Sequence, residues 1–160
     1  MPVAMRALVL VALLASGCGG DSPNQPTSAV TFTGLYNGLW TVSNCADSAS
    51  GFCRSAGFTP GAQYPLSLSI GQTQSAVNGT VTFGALNGTF QGVASGTSLA
   101  GTAALTTVSS ASGASAFGNV TRWASTLSGS SMAGTFTIGF RFSTPTPDAT
   151  INGTIVSLTR

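Results

Sequence analysis

Few side chains in this 160-residue sequence have the chemistry for acid–base, nucleophilic or metal-assisted catalysis. There is no His, Glu or Lys, and the whole charge inventory is Arg6, Asp21, Asp47, Arg54, Arg122, Arg141, Asp148 and Arg160. General bases and activated nucleophiles need a titratable partner close by. That requirement reduces the candidates to Asp47 and Asp148. Asp148 follows Pro145-Thr146-Pro147 and Asp47 stands between two cysteines, so both suit turn positions, where a short carboxylate bonds nearby backbone. Cys45 and Cys53 are too widely spaced for a Cys-x-x-Cys redox motif, and no His joins them to complete a zinc site. The Gly-rich stretches lack the following Lys-Ser/Thr and helix that a phosphate loop needs. The residues predict a protein that is not an enzyme and uses no metal or cofactor.

Composition narrows the class further. Charged residues make up 5% of the chain, against roughly a quarter in an ordinary soluble domain. No apolar run reaches the roughly 18 residues of a membrane-spanning helix. A charged disordered chain is excluded too, because 42% of the residues are hydrophobic and nine are Phe. The net charge of +2 rests on scattered arginines, which leaves no electrostatic footprint for nucleic acid.

The first residues form a separate unit. Arg6 precedes the run Ala7-Leu8-Val9-Leu10-Val11-Ala12-Leu13-Leu14-Ala15, and Ala15-Ser16-Gly17 leads directly into Cys18. A basic start, a short apolar core and small residues at a cleavage site are the layout of an export signal. Met5-Arg6 makes an alternative, tidier start. The segment resembles the lipobox of bacterial lipoproteins, with Ala15 where that family prefers Leu. The resemblance implies lipid on the Cys18 thiol and cleavage just before it. It also implies the outer membrane of the cell envelope, because Gly19 and not Asp follows the cysteine. The alternative is a secreted protein without lipid. Residues 1–17 are then the signal peptide, and 18–29, with Pro23 and Pro26 and nothing to bury, a flexible tether. With Cys18 carrying lipid in an oxidising compartment, Cys45 and Cys53 remain as an even pair. They are expected to form a disulfide stabilising by roughly 2–3 kcal/mol, with a redox-active pair as the alternative.

Residues 30–160 read as one all-β domain. Leu66, Leu68 and Ile70 alternate with Ser67 and Ser69; Met132, Gly134, Phe136, Ile138, Phe140 and Phe142 alternate with small or polar residues. Period-two patterning of this kind marks antiparallel strands with one face on a core and the other in water. Eight strands are expected, at about 33–43, 64–72, 76–84, 86–95, 97–108, 116–127, 131–142 and 149–159, joined mostly by short turns. Closing such a series into an up-and-down barrel hides both edges. A β-sandwich is the alternative. A recurring apolar-x-Gly-Thr, as in Val77-Asn78-Gly79-Thr80 and Ile151-Asn152-Gly153-Thr154, places Gly on the inner face beside bulky rings and Thr on the outer one. Val81, Phe83, Phe90, Phe136, Ile138 and Phe140 should face the core. Thr137, on the opposite phase, should accept Lys.

The first strand carries Gly38-Leu39-Trp40. A Gly-x-Trp there resembles the start of calycin barrels, the lipocalins and avidins, and implies that Trp40 closes one barrel end and that a small-molecule cavity exists. Trp40, Phe83, Phe90, Trp123, Phe136 and Phe140 are the residues that would line such a cavity or fill the core. Three readings follow: a lipid-anchored, non-enzymatic barrel that binds a small apolar ligand; a structural or protein-interaction module with a filled barrel; and a transmembrane β-barrel.

Overall fold

The structure, a computed structural model, describes residues 30–48, 51–106, 108–109, 115–142 and 148–160. The expected signal peptide, the tether and Cys18 lie outside the described residues, as does Pro145-Thr146-Pro147.

The alternating segments form long strands: β1 (Gly34–Asp47), β2 (Gln63–Thr73), β3 (Ala76–Phe83), β4 (Leu86–Ser95) and β5 (Ser98–Leu105). A two-residue β6 (Val108–Ser109) follows, then β7 (Ser115–Ser128), β8 (Ser131–Arg141) and β9 (Ala149–Thr159). Each long strand pairs antiparallel with the next, β9 returns to β1, and β5 bonds β7, so the eight long strands close into an up-and-down barrel. The closure removes the sandwich alternative. All eight expected strands are present; β1 runs four residues further than the 43 expected, to Asp47, and β5 ends at Leu105 with β6 in the connection beyond it. Two-residue turns join several strands, with Gly96 (φ 56°) and Gly129 (φ 61°) supplying the left-handed conformation such turns need.

The inner phase is the apolar one. Val81, Phe83, Phe90, Phe136, Ile138 and Phe140 are all buried. The repeated glycines share that phase and are sites of close approach. A Cβ on Gly79 would meet the carbonyl oxygen of Ser69, and one on Gly153 would meet the Phe136 ring. Pairing registers slip in four strand pairs: within β1–β9 at Leu39/Trp40 and Val42/Asn44, within β8–β9 at Met132/Gly134, within β7–β8 at Val120/Arg122, and within β5–β7 at Gly101/Ala103. Such bulges bend a strand and reset its facing. This is why Val120 and Trp123, three positions apart, are both buried, and likewise Ile155 and Leu158.

One barrel end is plugged. Phe32, ahead of β1, is fully buried. Its amide donates to Gln72 Oε1 at 2.8 Å, and the Gln72 amide donates to Thr33 Oγ1 at 3.0 Å. Arg160 Nη1 donates to the carbonyls of Thr31 and Thr33 at 3.3 and 2.9 Å, and its guanidinium lies 5.7 Å from the Tyr36 ring centre. Burial pushes the Tyr36 phenol above its ordinary pKa, against the opposing pull of Arg160.

On the outer phase, Thr137 is half-buried and donates to Asn152 Oδ1 at 2.9 Å. Thr137 thus lies on the outer phase as expected, and its neighbour in that phase, Thr135, is exposed and, among the described residues, has no such bond to lose. Phe136→Ala should cost about 3–5 kcal/mol in urea denaturation, because it removes a ring from the packed interior. Thr135→Lys should change stability by no more than about 0.5 kcal/mol. Equal costs at the two positions would mean that the faces are assigned wrongly.

Candidate functional site

The end opposite the plug is built differently. Among the described residues it is ringed by 51–62 and 84–85, by the ends of β1, β5 and β8, and by the starts of β7 and β9. The longest of these carries α1 (Phe52–Ser55), a single helical turn too short to leave a periodic signal in the sequence. Several bonds hold it in place. Cys45 and Cys53 form a disulfide with Cα atoms 5.9 Å apart. The Cys53 amide donates to Asp47 Oδ2 at 2.8 Å. The Tyr64 hydroxyl donates to the Gly57 carbonyl at 2.7 Å. The Gly61 amide donates to Val42 O at 2.8 Å, and the Val42 amide to Ala62 O at 2.9 Å. Asp148 takes part in the same structure: its Oδ2 accepts from the Phe142 amide at 2.6 Å and its carbonyl accepts from the Ser48 amide at 3.0 Å. The two carboxylates singled out from the sequence thus hold backbone at the rim.

Beneath α1 lies an apolar pocket of about 500 Å³. Its deep surface is made by Trp40, Phe83, Ile138 and Phe140, all buried. Its rim is made by the half-buried Phe52, Phe58, Tyr64, Leu86 and Phe142, with Ser55, Ala56, Gly84 and Ala85. The rings support one another: Trp40 lies 5.2 Å from Tyr64 and Phe52 lies 5.0 Å from Phe140 and 5.1 Å from Phe142, centre to centre. Such tilted pairs favour defined ring positions over a collapsed cluster.

The pocket does not continue down the barrel. Directly below, Phe136 packs 5.1 Å from Trp40 and 4.8 Å from Phe83, and Trp123 stacks 5.8 Å from Phe136. Phe90 lies 5.4 Å from Trp123, edge to face. Of the six residues named from the sequence as cavity lining or core, Trp40, Phe83 and Phe140 line the pocket, while Phe90, Trp123 and Phe136 fill the interior beneath it. Trp123 Nε1 donates to Ser125 Oγ at 2.8 Å, whereas Trp40 Nε1 and the Tyr36 hydroxyl are buried without a partner. Trp40 forms the pocket's floor, and the opposite end is closed by Phe32. Gly38 lets β1 approach β9, since a Cβ there would meet the Ser157 carbonyl.

No protein-family model, curated protein or solved structure matches the chain. Any functional reading therefore rests on the geometry of the chain's own residues. Sequence reasoning had missed Phe52, Phe58 and Tyr64, which sit in or beside a loop with no strand phase to aim them. The signal available was two phenylalanines on either side of Cys53 in a loop that should otherwise be polar.

Removing the disulfide tests how the loop is held. Cys45→Ala with Cys53→Ala should lower stability by about 2–3 kcal/mol in chemical denaturation, because the open loop regains entropy in the unfolded chain. Stability equal to the parent would show that α1 is held by its hydrogen bonds and ring contacts alone.

Proposed function

We propose that this protein is a lipid-anchored lipoprotein of the bacterial envelope whose barrel binds a small apolar ligand in its mouth pocket, without catalysing a reaction. The carrying observation is the pocket itself. A volume of about 500 Å³ with an aromatic and aliphatic lining falls within the roughly 300–1,000 Å³ of small-molecule sites. The exported location is supported by the signal-like start and by the Cys45–Cys53 disulfide, which suits an oxidising compartment.

The ends of the barrel fit that arrangement. Val30 leads into β1 at the plugged end, so a tether of residues 18–29 would attach there, opposite the pocket. A flexible segment of that length has a root-mean-square span of roughly 20 Å. The plugged end would sit toward the membrane and the mouth would face away from it.

A second reading, a structural or interaction module, is favoured by the filled interior and by Leu35, Leu39 and Val156, which are 54%, 45% and 54% exposed on the adjacent outer faces of β1 and β9. The transmembrane reading requires an apolar outer band, whereas the outer phase here carries Ser67, Ser69, Thr80, Thr82, Thr135 and Thr154.

Two measurements test the proposal. Cys18→Ser should move the protein from the membrane fraction to the soluble fraction; unchanged partitioning would remove the anchor. The neutral dye N-phenyl-1-naphthylamine should bind one molecule per chain with enhanced emission. Leu86→Glu, which places a charge on the rim, should weaken that binding at least about tenfold, the effect of 1.4 kcal/mol. Binding unaffected by Leu86→Glu would move the dye site elsewhere.

A further inference from the structure

We infer that the ligand of the mouth pocket is an uncharged, ring-bearing molecule and not a fatty acid or a quaternary ammonium compound. The inference rests on the ligand-binding reading above and names its chemistry.

Charge is the first discriminator. Among the described residues, no Arg or Asp lines the pocket. Its side-chain hydroxyls are those of Ser55 and Tyr64, and both protons are engaged: Ser55 donates to the Phe52 carbonyl at 3.2 Å and Tyr64 to the Gly57 carbonyl at 2.7 Å. A carboxylate placed inside would meet no cation, and the one lining side-chain donor without a partner is the neutral indole N–H of Trp40; a buried charge without a counter-charge costs several kcal/mol. The Tyr64 oxygen keeps lone pairs and the Trp40 N–H is unpartnered, so the polar features the lining can serve are neutral ones: a ligand hydroxyl or amine proton at Tyr64 and a carbonyl or ether oxygen at Trp40. Two Arg and two Asp stand at this end of the barrel, Arg54 on α1, Arg141 at the end of β8, Asp47 at the end of β1 and Asp148 just before β9, so their formal charges cancel. Neither an anion nor a cation is drawn in by a net field.

Shape is the second. Phe136 and Trp123 fill the barrel below Trp40, so a long acyl chain has no channel to enter and would have to fold back within the mouth. A rigid ring system loses less conformational freedom on binding than such a chain. It also matches the lining, which presents rings at mixed tilts, 33° between Trp40 and Tyr64 and 69° between Phe52 and Phe142. Those offer both faces and edges to a planar guest. A quaternary ammonium group would meet ring faces too, yet Leu86 and Ile138 share the lining and no carboxylate among the described residues stands there to complete the site.

The test uses the chain from residue 18 onward carrying Cys18→Ser, with calorimetry and tryptophan emission as readouts. The probes are N-phenyl-1-naphthylamine (neutral), palmitate (anionic) and benzyltrimethylammonium (cationic). The neutral probe should bind at least tenfold more tightly than either charged one, and Phe58→Ala should weaken it several-fold while leaving the melting transition cooperative. Palmitate or the ammonium probe binding as tightly as the neutral one would overturn the assignment of ligand class and leave the pocket reading standing. No binding by any probe would overturn both.

Discussion

The whole structure depends on closure of the hydrogen-bonded ladder. Each long strand has a partner on both sides, with β9 returning to β1 and β7 to β5. An open sheet of this composition would be hazardous. Exposed edges are ordinarily blunted by lysines and other charges, and this chain has no Lys and only eight charged residues, five Arg and three Asp. Closure satisfies the edge groups with backbone instead of warding off partners with charge. Surface charge is then free to be scarce, and the outer wall can be Ser, Thr and Asn bonded across strands, as Ser67 to Asn37 at 2.9 Å and Thr82 to Asn87 at 2.8 Å.

A closed eight-stranded barrel is narrow, and its interior is just wide enough for side chains to fill. The inward glycines make that filling possible here. Gly153 leaves the space that the Phe136 ring occupies, and Gly101 does the same for Phe90. With rings admitted at those levels, the interior below Trp40 is packed solid. The pocket is confined to the mouth, where the strands splay into loops and the space is bounded by Phe52, Phe58 and Phe142. The pocket is thus a consequence of where the glycines stop matching rings, and the fold carries a filled body and a concave apolar end at once.

Much of this was legible in the sequence because period-two alternation is a strong local signal. Leu66-Ser67-Leu68-Ser69-Ile70 admits one phase only, and a slip of one residue would expose the whole apolar set. The bulges were not legible. Simple alternation cannot place Val120 and Trp123 on one face, because the extra residue at Thr121 is specified by pairing with β8 and not by the local sequence. The cysteine pair was legible as a constraint on the long loop. What the constraint holds was not: α1 is four residues long, and Phe52 and Phe58 point inward because of tertiary anchors at Asp47, Val42 and Tyr64. Half of the pocket rim is therefore non-local in origin, while its floor at Trp40 and Phe83 follows from strand phase.

The two barrel ends show the same problem solved in opposite ways. Cutting a barrel across leaves an apolar cross-section open to water, and some element must cover it. At the end where β1 begins, the chain covers it with its own residues: Phe32 fills the opening, Gln72 bonds the Phe32 amide, and Arg160 reaches back to the Thr31 and Thr33 carbonyls. That cover ties the first described residues to the last, so it also locks the β1–β9 seam at which the barrel closes. At the other end the cover is a short helical turn suspended over a gap, secured at its base by Cys45–Cys53 and by the Asp47 carboxylate. A cover of one helical turn, though held on both sides, leaves the apolar cross-section partly unfilled, and the rings of Phe52, Phe58 and Tyr64 remain only half-buried. Their exposed parts lack dispersion contacts that a fitting guest would restore. The plugged end has no such deficit. The asymmetry of the two covers, more than the barrel they share, is what leaves an apolar pocket at one end and a filled plug at the other.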